Sequence, residues 1–189
     1  KPTGTAKTKL PAEFSIKGFD EKAFHAISDR DGWSETAGFV AGFPAATDGN
    51  QTWMAHCYGD VGAGRGIEAD SSIGTELYVV TGQSPRQLDR NITSVGRVLQ
   101  GMEYLSILPR GTGPLGFYEK PEQYVPIQSI ALASSLPESE QVKLEVFRTD
   151  TATFDALVES RRNRKDDFYH TPAGHIDLCN IPIPVRVKK

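Results

Sequence analysis

Glycine and proline interrupt this sequence so often that long regular elements have little room to form. The chain carries 18 glycines and 12 prolines among its 189 residues. Proline lacks a backbone donor and glycine favours turns, so both residues tend to end helices and strands. We therefore expect a strand-rich domain of many short elements joined by turns, in which long helices do not dominate.

Side-chain periodicity places several of these elements. Residues 75–82 form the clearest strand, because they are rich in β-branched and aromatic side chains. The segment Asp48-Gly49-Asn50 predicts a hairpin turn between strands over residues 36–44 and 52–58. Residues 59–74 are rich in glycine and aspartate, which predicts a long loop. Further strands are predicted over residues 92–98 and 125–133, and helices over 99–108, from 135 onward and after a cap at Asp150 or Thr151.

Charge and hydropathy exclude several classes of function. The formal net charge is -3, from 21 basic and 24 acidic residues. A binder of nucleic acid needs a clustered excess of lysine and arginine, so we predict no nucleic-acid partner. No apolar stretch approaches the roughly 20 residues that cross a bilayer, which predicts no membrane insertion. Residues 1–9 are polar and basic and lack the apolar centre of a signal peptide.

The two cysteines, Cys57 and Cys179, are too few for a disulfide framework. Each lies in an apolar run, so we expect two separate buried thiols in preference to a bridge between them. On that expectation, cysteine usage does not identify the cellular compartment.

The residues that usually carry catalysis are scattered. No serine lies in a Gly-x-Ser-x-Gly turn. His56 lies within a predicted strand and is expected to be a core imidazole with its hydrogen bonds satisfied. His170, His175 and Cys179 lack the spacing and the further ligands of a metal site. Residues 62–66 are glycine-rich but lack the Gly-Lys-Ser/Thr ending of a phosphate-binding loop.

Three segments of the sequence resemble the second half of the cyclophilins, a family of peptidyl-prolyl cis-trans isomerases. They are GTELYVVT at residues 74–81, LD at 88–89 and VGRVLQGM at 95–102. Cyclophilins show a Gly-Ser-Gln-Phe-Phe-Ile strand, a Trp-Leu-Asp loop and a Val-Phe-Gly-Lys-Val-x-x-Gly-Met segment in the same order and, apart from one extra residue near Pro85, the same spacing. Residues 56–59, 85–92 and 109–118 look like a divergent bacterial branch of the family.

The resemblance implies a mainly β fold, an antiparallel barrel of eight strands closed by two helices. It covers residues 37–134, which we expect to form the C-terminal part of such a barrel. Residues 1–36 are then an irregular linker, and residues 135–189 are an extension with helical and extended segments.

The resemblance also implies an activity, the rotation of X-Pro peptide bonds during protein folding. The barrier to this rotation is about 18–20 kcal/mol, and an enzyme lowers it by binding the twisted amide better than either planar form. Such a reaction needs no metal or cofactor, only an apolar site for the proline ring and a cation that donates to the prolyl nitrogen. The alternative is a non-catalytic module that binds proline-containing peptides with the same fold.

The site residues follow from the resemblance position by position. Tyr78 corresponds to the pocket-floor phenylalanine and Leu88 to the pocket leucine, although both could instead simply fill the core. Glu76 replaces a glutamine of the groove. The remaining substrate-binding positions are Gln87 in place of tryptophan, Ile92 in place of histidine, and Tyr58 and Gly59 near the Ala-Asn pair that anchors the substrate backbone.

The catalytic arginine of the family lies in its N-terminal half, and no segment like it precedes Trp33. The chain therefore resembles the C-terminal part of a longer protein, and the catalytic residue is unassigned. We expect an N-terminal fragment of the same protein to complete the barrel, with Arg86 and Arg110 as candidate stand-ins for the donor. The implied partners are proline-containing polypeptides, and the implied location is periplasmic or secreted.

Overall fold

The computed structural model describes residues 7–18, 20 and 22–188, and within them the fold is built from antiparallel sheets and two helices. The strands are β1 (Ile16–Lys17), β2 (Phe24–Ala26), β3 (Thr36–Val40), β4 (Phe43–Thr47), β5 (Gln51–Met54), β6 (Asp60–Ala63), β7 (Leu77–Val79), β8 (Thr93–Arg97), β9 (Leu144–Val146) and β10 (Val185–Val187). The helices are α1 (Met102–Ser106) and α2 (Ala152–Arg162).

The largest sheet has five strands in the order β1-β5-β4-β3-β2. Ala41 and Gly42 turn between β3 and β4 with positive φ angles of 48° and 83°, which matches the two-residue turns of twisted hairpins. The strand predicted over residues 36–44 is therefore two strands. The predicted turn at Asp48 is confirmed, because its Oδ1 accepts hydrogen bonds from the amides of Asn50 and Gln51.

Three further strands form a second sheet in the order β7-β6-β8, and β9 pairs with β10. The loop predicted over residues 59–74 is wrong at its start, because β6 forms there between two partner strands. The predicted strand over residues 92–98 is confirmed as β8. The sheets remain separate in the part of the chain described, so a closed barrel is not seen there.

The hydrophobic core brings together residues of the five-stranded sheet and residues from α2 onward. Phe154 and Val158 on α2 pack with Phe39 of β3, and the rings of Phe39 and Phe154 meet edge to face at 5.1 Å. Leu178 belongs to the same core. The segment predicted as a C-terminal extension thus shares its core with the sheet, while the predicted N-terminal linker contributes β1 and β2 to that sheet.

Two predictions for the region between α1 and β9 are wrong. Residues 125–132 are not a strand, and in place of a helix from 135 onward there are short 3₁₀ turns at Ala133–Ser135 and Glu138–Glu140. Ile127 and Ile130 are exposed, so the apolar pattern that suggested a strand is not buried against the described residues. The helix after Thr151 is confirmed, and the Thr151 hydroxyl accepts from the amide of Phe154 at 3.3 Å.

Cys57 and Cys179 form a disulfide, so the prediction of two separate thiols is wrong. The core explains their meeting: burial of Leu178 brings the 3₁₀ turn Leu178–Asn180 onto the segment after β5, where the two Cα atoms lie 5.0 Å apart. That separation lies within the range that a disulfide spans. None of the helices described is both long and apolar enough to cross a membrane.

Candidate functional site

The predicted site residues lie on or next to the strands of the β7-β6-β8 sheet and on the loop that joins β7 to β8. β6 is the central strand, and its Gly62 pairs with Tyr78 of β7 and with Ser94 of β8. One residue further along, Ala63 pairs with Leu77 and Thr93. The register therefore places Tyr78 over the middle of the sheet.

Tyr78 is half-buried, and its ring lies directly against Gly62. A Cβ atom at Gly62 would overlap the phenol ring, so this position of the tyrosine requires a glycine beneath it. The Tyr78 hydroxyl is 2.8 Å from Nε2 of His56, and the two rings are stacked within 11°. Burial, with the charges of Asp60 and Asp89, raises the pKa of Tyr78 to about 12, so its hydroxyl stays protonated at neutral pH.

His56 lies at the centre of a buried polar network, which confirms its prediction as a core imidazole with satisfied hydrogen bonds. Its Nδ1 is 3.1 Å from Asp89, which also accepts hydrogen bonds from the His56 amide, Arg86 Nε and Trp53 Nε1. Arg86 reaches Asp31 with both terminal nitrogens at 3.0 Å. Burial alone would raise the pKa of Asp89, but the hydrogen bonds from His56 and the charge of Arg86 hold it below its usual value.

Asp60, at the start of β6, completes the network. Ser94 donates to its Oδ1 at 2.7 Å, whereas its buried Oδ2 finds no hydrogen-bond partner among the described residues. That oxygen is 3.8 Å from Nε2 of His56. Burial raises the pKa of Asp60 to about 6, against the opposing effects of the Ser94 hydrogen bond and of His56.

Three of the predicted substrate-binding residues lie toward the Ala63 end of β6. Glu76 accepts a hydrogen bond from the Gly64 amide at 2.7 Å, and Ile92 directly precedes the residue that pairs with Ala63. The Ile92 amide donates to the Leu88 carbonyl at 3.2 Å, so these two residues share one turn. Asp89 links this turn through His56 to Tyr78.

The side chains of this group differ in exposure. Tyr78, Leu88 and Ile92 are half-buried, so each presents part of an apolar surface to solvent. Gln87 and Glu76 are exposed, and the Gln87 carbonyl accepts from the Asn91 side chain at 3.2 Å. The arrangement offers apolar contacts next to polar side chains, which suits a small ring attached to a peptide backbone.

Tyr58 and Gly59 lie at the opposite end of β6. Gly59 bonds to the backbones of Val80 and Val98, and the Tyr58 hydroxyl is 2.5 Å from Ser106 on α1. At about 3.3 Å per residue, Gly59 is about 16 Å from Gly64 along the strand. Tyr58 and Gly59 therefore lie apart from Glu76, whose backbone bonds to Gly64 directly after β6.

The candidate donor arginines are engaged elsewhere. Arg86 is 3% exposed and is held by Asp31 and Asp89, so its prediction as a donor to substrate is wrong. Arg110 is exposed and donates to the Leu115 carbonyl at 3.3 Å. Arg65 donates to three backbone carbonyls. Across residues 7–18, 20 and 22–188, no group of three or more His, Cys, Asp or Glu side chains is placed to hold a metal ion.

Comparison with known proteins identifies the fold. No family model and no curated protein sequence matches the chain. A solved structure does match, that of cyclophilin AquaCyp293 from Hirschia baltica, with a TM-score of 0.65 and 24% sequence identity. The match covers 96% of this chain and 66% of that chain, so the sequence spans less than two thirds of its length. With its antiparallel sheets and two helices, this chain has a cyclophilin-type fold.

Proposed function

We propose that the chain forms the proline-binding part of a peptidyl-prolyl cis-trans isomerase that acts during protein folding. The observation that carries this proposal is a cyclophilin-type fold in which Tyr78 is linked through His56 to Asp89, the residue after Leu88 in the turn that also holds Ile92. These three half-buried side chains form the site for the proline ring. Glu76 and Gln87 flank it and contact the residues around the proline.

The physical task of such a site is modest. A twisted X-Pro amide has lost its resonance, and its nitrogen becomes a better hydrogen-bond acceptor than in either planar form. A site that binds the twisted amide more tightly by about 5–6 kcal/mol accelerates rotation about ten-thousand-fold. Apolar contacts hold the proline ring still while the preceding carbonyl turns, and a donor to the prolyl nitrogen supplies the difference between the states.

We propose that this donor is supplied by an N-terminal fragment of the same protein, the partner implied by the resemblance to cyclophilins. The proposal is supported by the engagement of Arg86 and Arg65 in contacts within the chain.

The engagement of Arg86 and Arg65 within the chain also favours a second function. A site that holds a proline ring without a free donor binds the peptide but does not speed its rotation. The chain would then act as a binding module for proline-containing segments, with Tyr78, Leu88 and Ile92 in the same roles.

The disulfide supports a periplasmic or secreted location for the protein. A bond between Cys57 and Cys179 persists in oxidising compartments and is rare in the reducing cytosol. We propose that the chain folds and works in such a compartment, where newly exported polypeptides are its substrates.

The test is an exchange NMR measurement of cis-trans rotation in a short Ala-Pro peptide, with and without the chain joined to the proposed N-terminal fragment. We expect faster exchange with this joined protein, slower exchange with its Leu88→Ala variant, and no change with the control Leu115→Ala, whose side chain is 89% exposed. Peptide binding without faster exchange would establish the binding module instead. If the peptide neither binds nor exchanges faster, both functions are overturned.

A further inference from the structure

We propose that Glu76 makes the proline site selective for peptides that carry a lysine or arginine next to the proline. The carboxylate of Glu76 pairs with this cation while the proline ring rests against Tyr78. The inference rests on the proposed function, because it needs the proline ring at Tyr78. It names the substrate class of that site, which is cationic segments of unfolded polypeptides.

Two glycines, one on β6 and one directly after it, make room for two side chains of the neighbouring chain segment. A Cβ atom at Gly62 would overlap the Tyr78 ring, and a Cβ atom at Gly64 would lie 3.2 Å from Glu76 Cβ and 3.4 Å from Glu76 Oε2. The Gly64 amide also donates to the Glu76 carbonyl, so the pairing of β6 with β7 continues to this residue. Residues two apart in an extended segment point to the same face of the sheet. The side chains of Glu76 and Tyr78 therefore lie on one face of the sheet, each next to a glycine.

This placement brings the Glu76 carboxylate into the proposed proline site. Two residues of an extended segment span about 7 Å, which is the step from Tyr78 to Glu76. On the other side of β6, the residue before Gly64 pairs with the residue after Ile92, so Ile92 comes opposite Gly64. Glu76 is thus one step along the sheet from Tyr78 and in the same row as Ile92. A side chain next to the bound proline reaches it within that step.

Glu76 has no cation of its own among the described residues. Its side chain is exposed, and its carboxylate takes part in no ion pair or hydrogen bond within that part of the chain. Arg65, which follows Gly64, donates to three backbone carbonyls instead. The carboxylate is therefore available to a cation that arrives with the substrate.

The charge of Glu76 separates three classes of peptide. A carboxylate attracts a lysine or arginine side chain, discriminates little among uncharged ones and repels aspartate or glutamate. The ion pair that it forms is open to water, and exposed pairs contribute little to affinity. We therefore expect a preference of about threefold for lysine over an uncharged residue, and this preference weakens as salt screens the charges.

The experiment measures, by NMR titration, the affinity of the chain for three peptides of the sequence Ala-X-Pro-X-Ala, in which X is lysine, glutamine or glutamate. We expect the lysine peptide to bind about threefold more tightly than the glutamine peptide, and the glutamate peptide to bind most weakly. In about 1 M salt, where the screening length is only about 3 Å, most of the difference should disappear.

Variants of Glu76 test whether this side chain is the cause. Glu76→Gln keeps the size of the side chain and removes its charge, so the lysine and glutamine peptides should bind equally. Glu76→Lys should reverse the order and favour the glutamate peptide. The control is Glu103→Gln, which removes one charge from an exposed position on α1, next to the residue that packs near Gly59 at the other end of β6. A lysine preference that survives in Glu76→Gln, or that Glu103→Gln abolishes equally, would overturn the inference.

Further outcomes separate this inference from the proposed function. If the three peptides bind with one affinity, the inference is overturned and the proposed function stands. If Ala-Lys-Ala-Lys-Ala binds as tightly as the proline peptide with lysine and both depend on Glu76, the proline site is contradicted, whereas the contact between Glu76 and the cation is supported. If none of the peptides binds, the proposed function is overturned and the inference with it.

Discussion

Asparagine in place of Asp60 is expected to stabilise the folded chain at neutral pH. The carboxyl has a pKa of about 6 when folded, against an ordinary value of 3.8. Between these values the folded state binds a proton that the unfolded state has released, so the free energy of unfolding falls as pH rises through this window. A difference of about two pKa units at 1.36 kcal/mol each gives a loss of about 3 kcal/mol. The amide of the substituted side chain carries no charge, so the variant avoids this loss.

Urea unfolding at several pH values from 4 to 8 measures the effect. We expect Asp60→Asn and the unmodified chain to differ little at pH 4 and by about 3 kcal/mol at pH 7.5, with the variant more stable. The lowered pKa values of Asp31 and Asp89 make the free energy of unfolding of both proteins fall as the pH is lowered. This contribution cancels when the variant is compared with the unmodified chain. Asp70→Asn is the control, because Asp70 is 59% exposed. A variant that is less stable at pH 7.5, or a difference that does not change with pH, would refute the reasoning.

Three further predictions concern stability and are measured by urea unfolding. Arg86→Met should lower the free energy of unfolding by about 3–5 kcal/mol, because it leaves two buried carboxylates without their cation. The control Arg90→Met, at a side chain that is 49% exposed, should lower it by about 1 kcal/mol or less. Equal losses would contradict a buried network. Reduction of the Cys57–Cys179 bond, which closes a loop across 122 residues, should cost about 2–5 kcal/mol, and no change would mean that the bond constrains little. Phe154→Ala should cost about 3–5 kcal/mol, because the ring is fully buried, and a cost below about 1 kcal/mol would contradict a core shared by α2 and the sheet.

Local chemistry explains what the sequence predicted correctly about the fold. The turn at Asp48 and the cap at Thr151 depend on hydrogen bonds to amides two or three residues away, so a short stretch of sequence contains them. β8 was also predictable, because Ile92, Val95 and Val98 lie in one uninterrupted segment. The hairpin at Ala41 was not, since alanine is not the residue that usually marks a turn with positive φ.

Contacts between distant residues explain what was missed. The bond between Cys57 and Cys179 depends on how Leu178 enters the core, which no local pattern records. Arg86 looked like a free cation, yet it pairs with an aspartate 55 residues earlier in the chain. Burial of this kind depends on the assembled sheet and is not visible in a short motif.

Part of the candidate site is proposed from the sequence alone. Tyr78, Leu88 and Ile92 lie in or next to segments that resemble cyclophilins, and their assignment as site residues stays a prediction. Tyr58 and Gly59 are predicted as part of the same site, but they directly precede β6 and bond near the far ends of β7 and β8. The pairing of β6 with β7 and β8 places those two residues at the other end of the strand.

The central claim is that a proline ring binds against Tyr78, Leu88 and Ile92, and amide NMR mapping tests it most directly. An Ala-Pro peptide titrated into the labelled chain should shift the amide signals of these three residues and leave those of Tyr58 and Ser106 unchanged. Shifts confined to Tyr58 and Ser106, or no shifts at peptide concentrations in the millimolar range, would contradict the account.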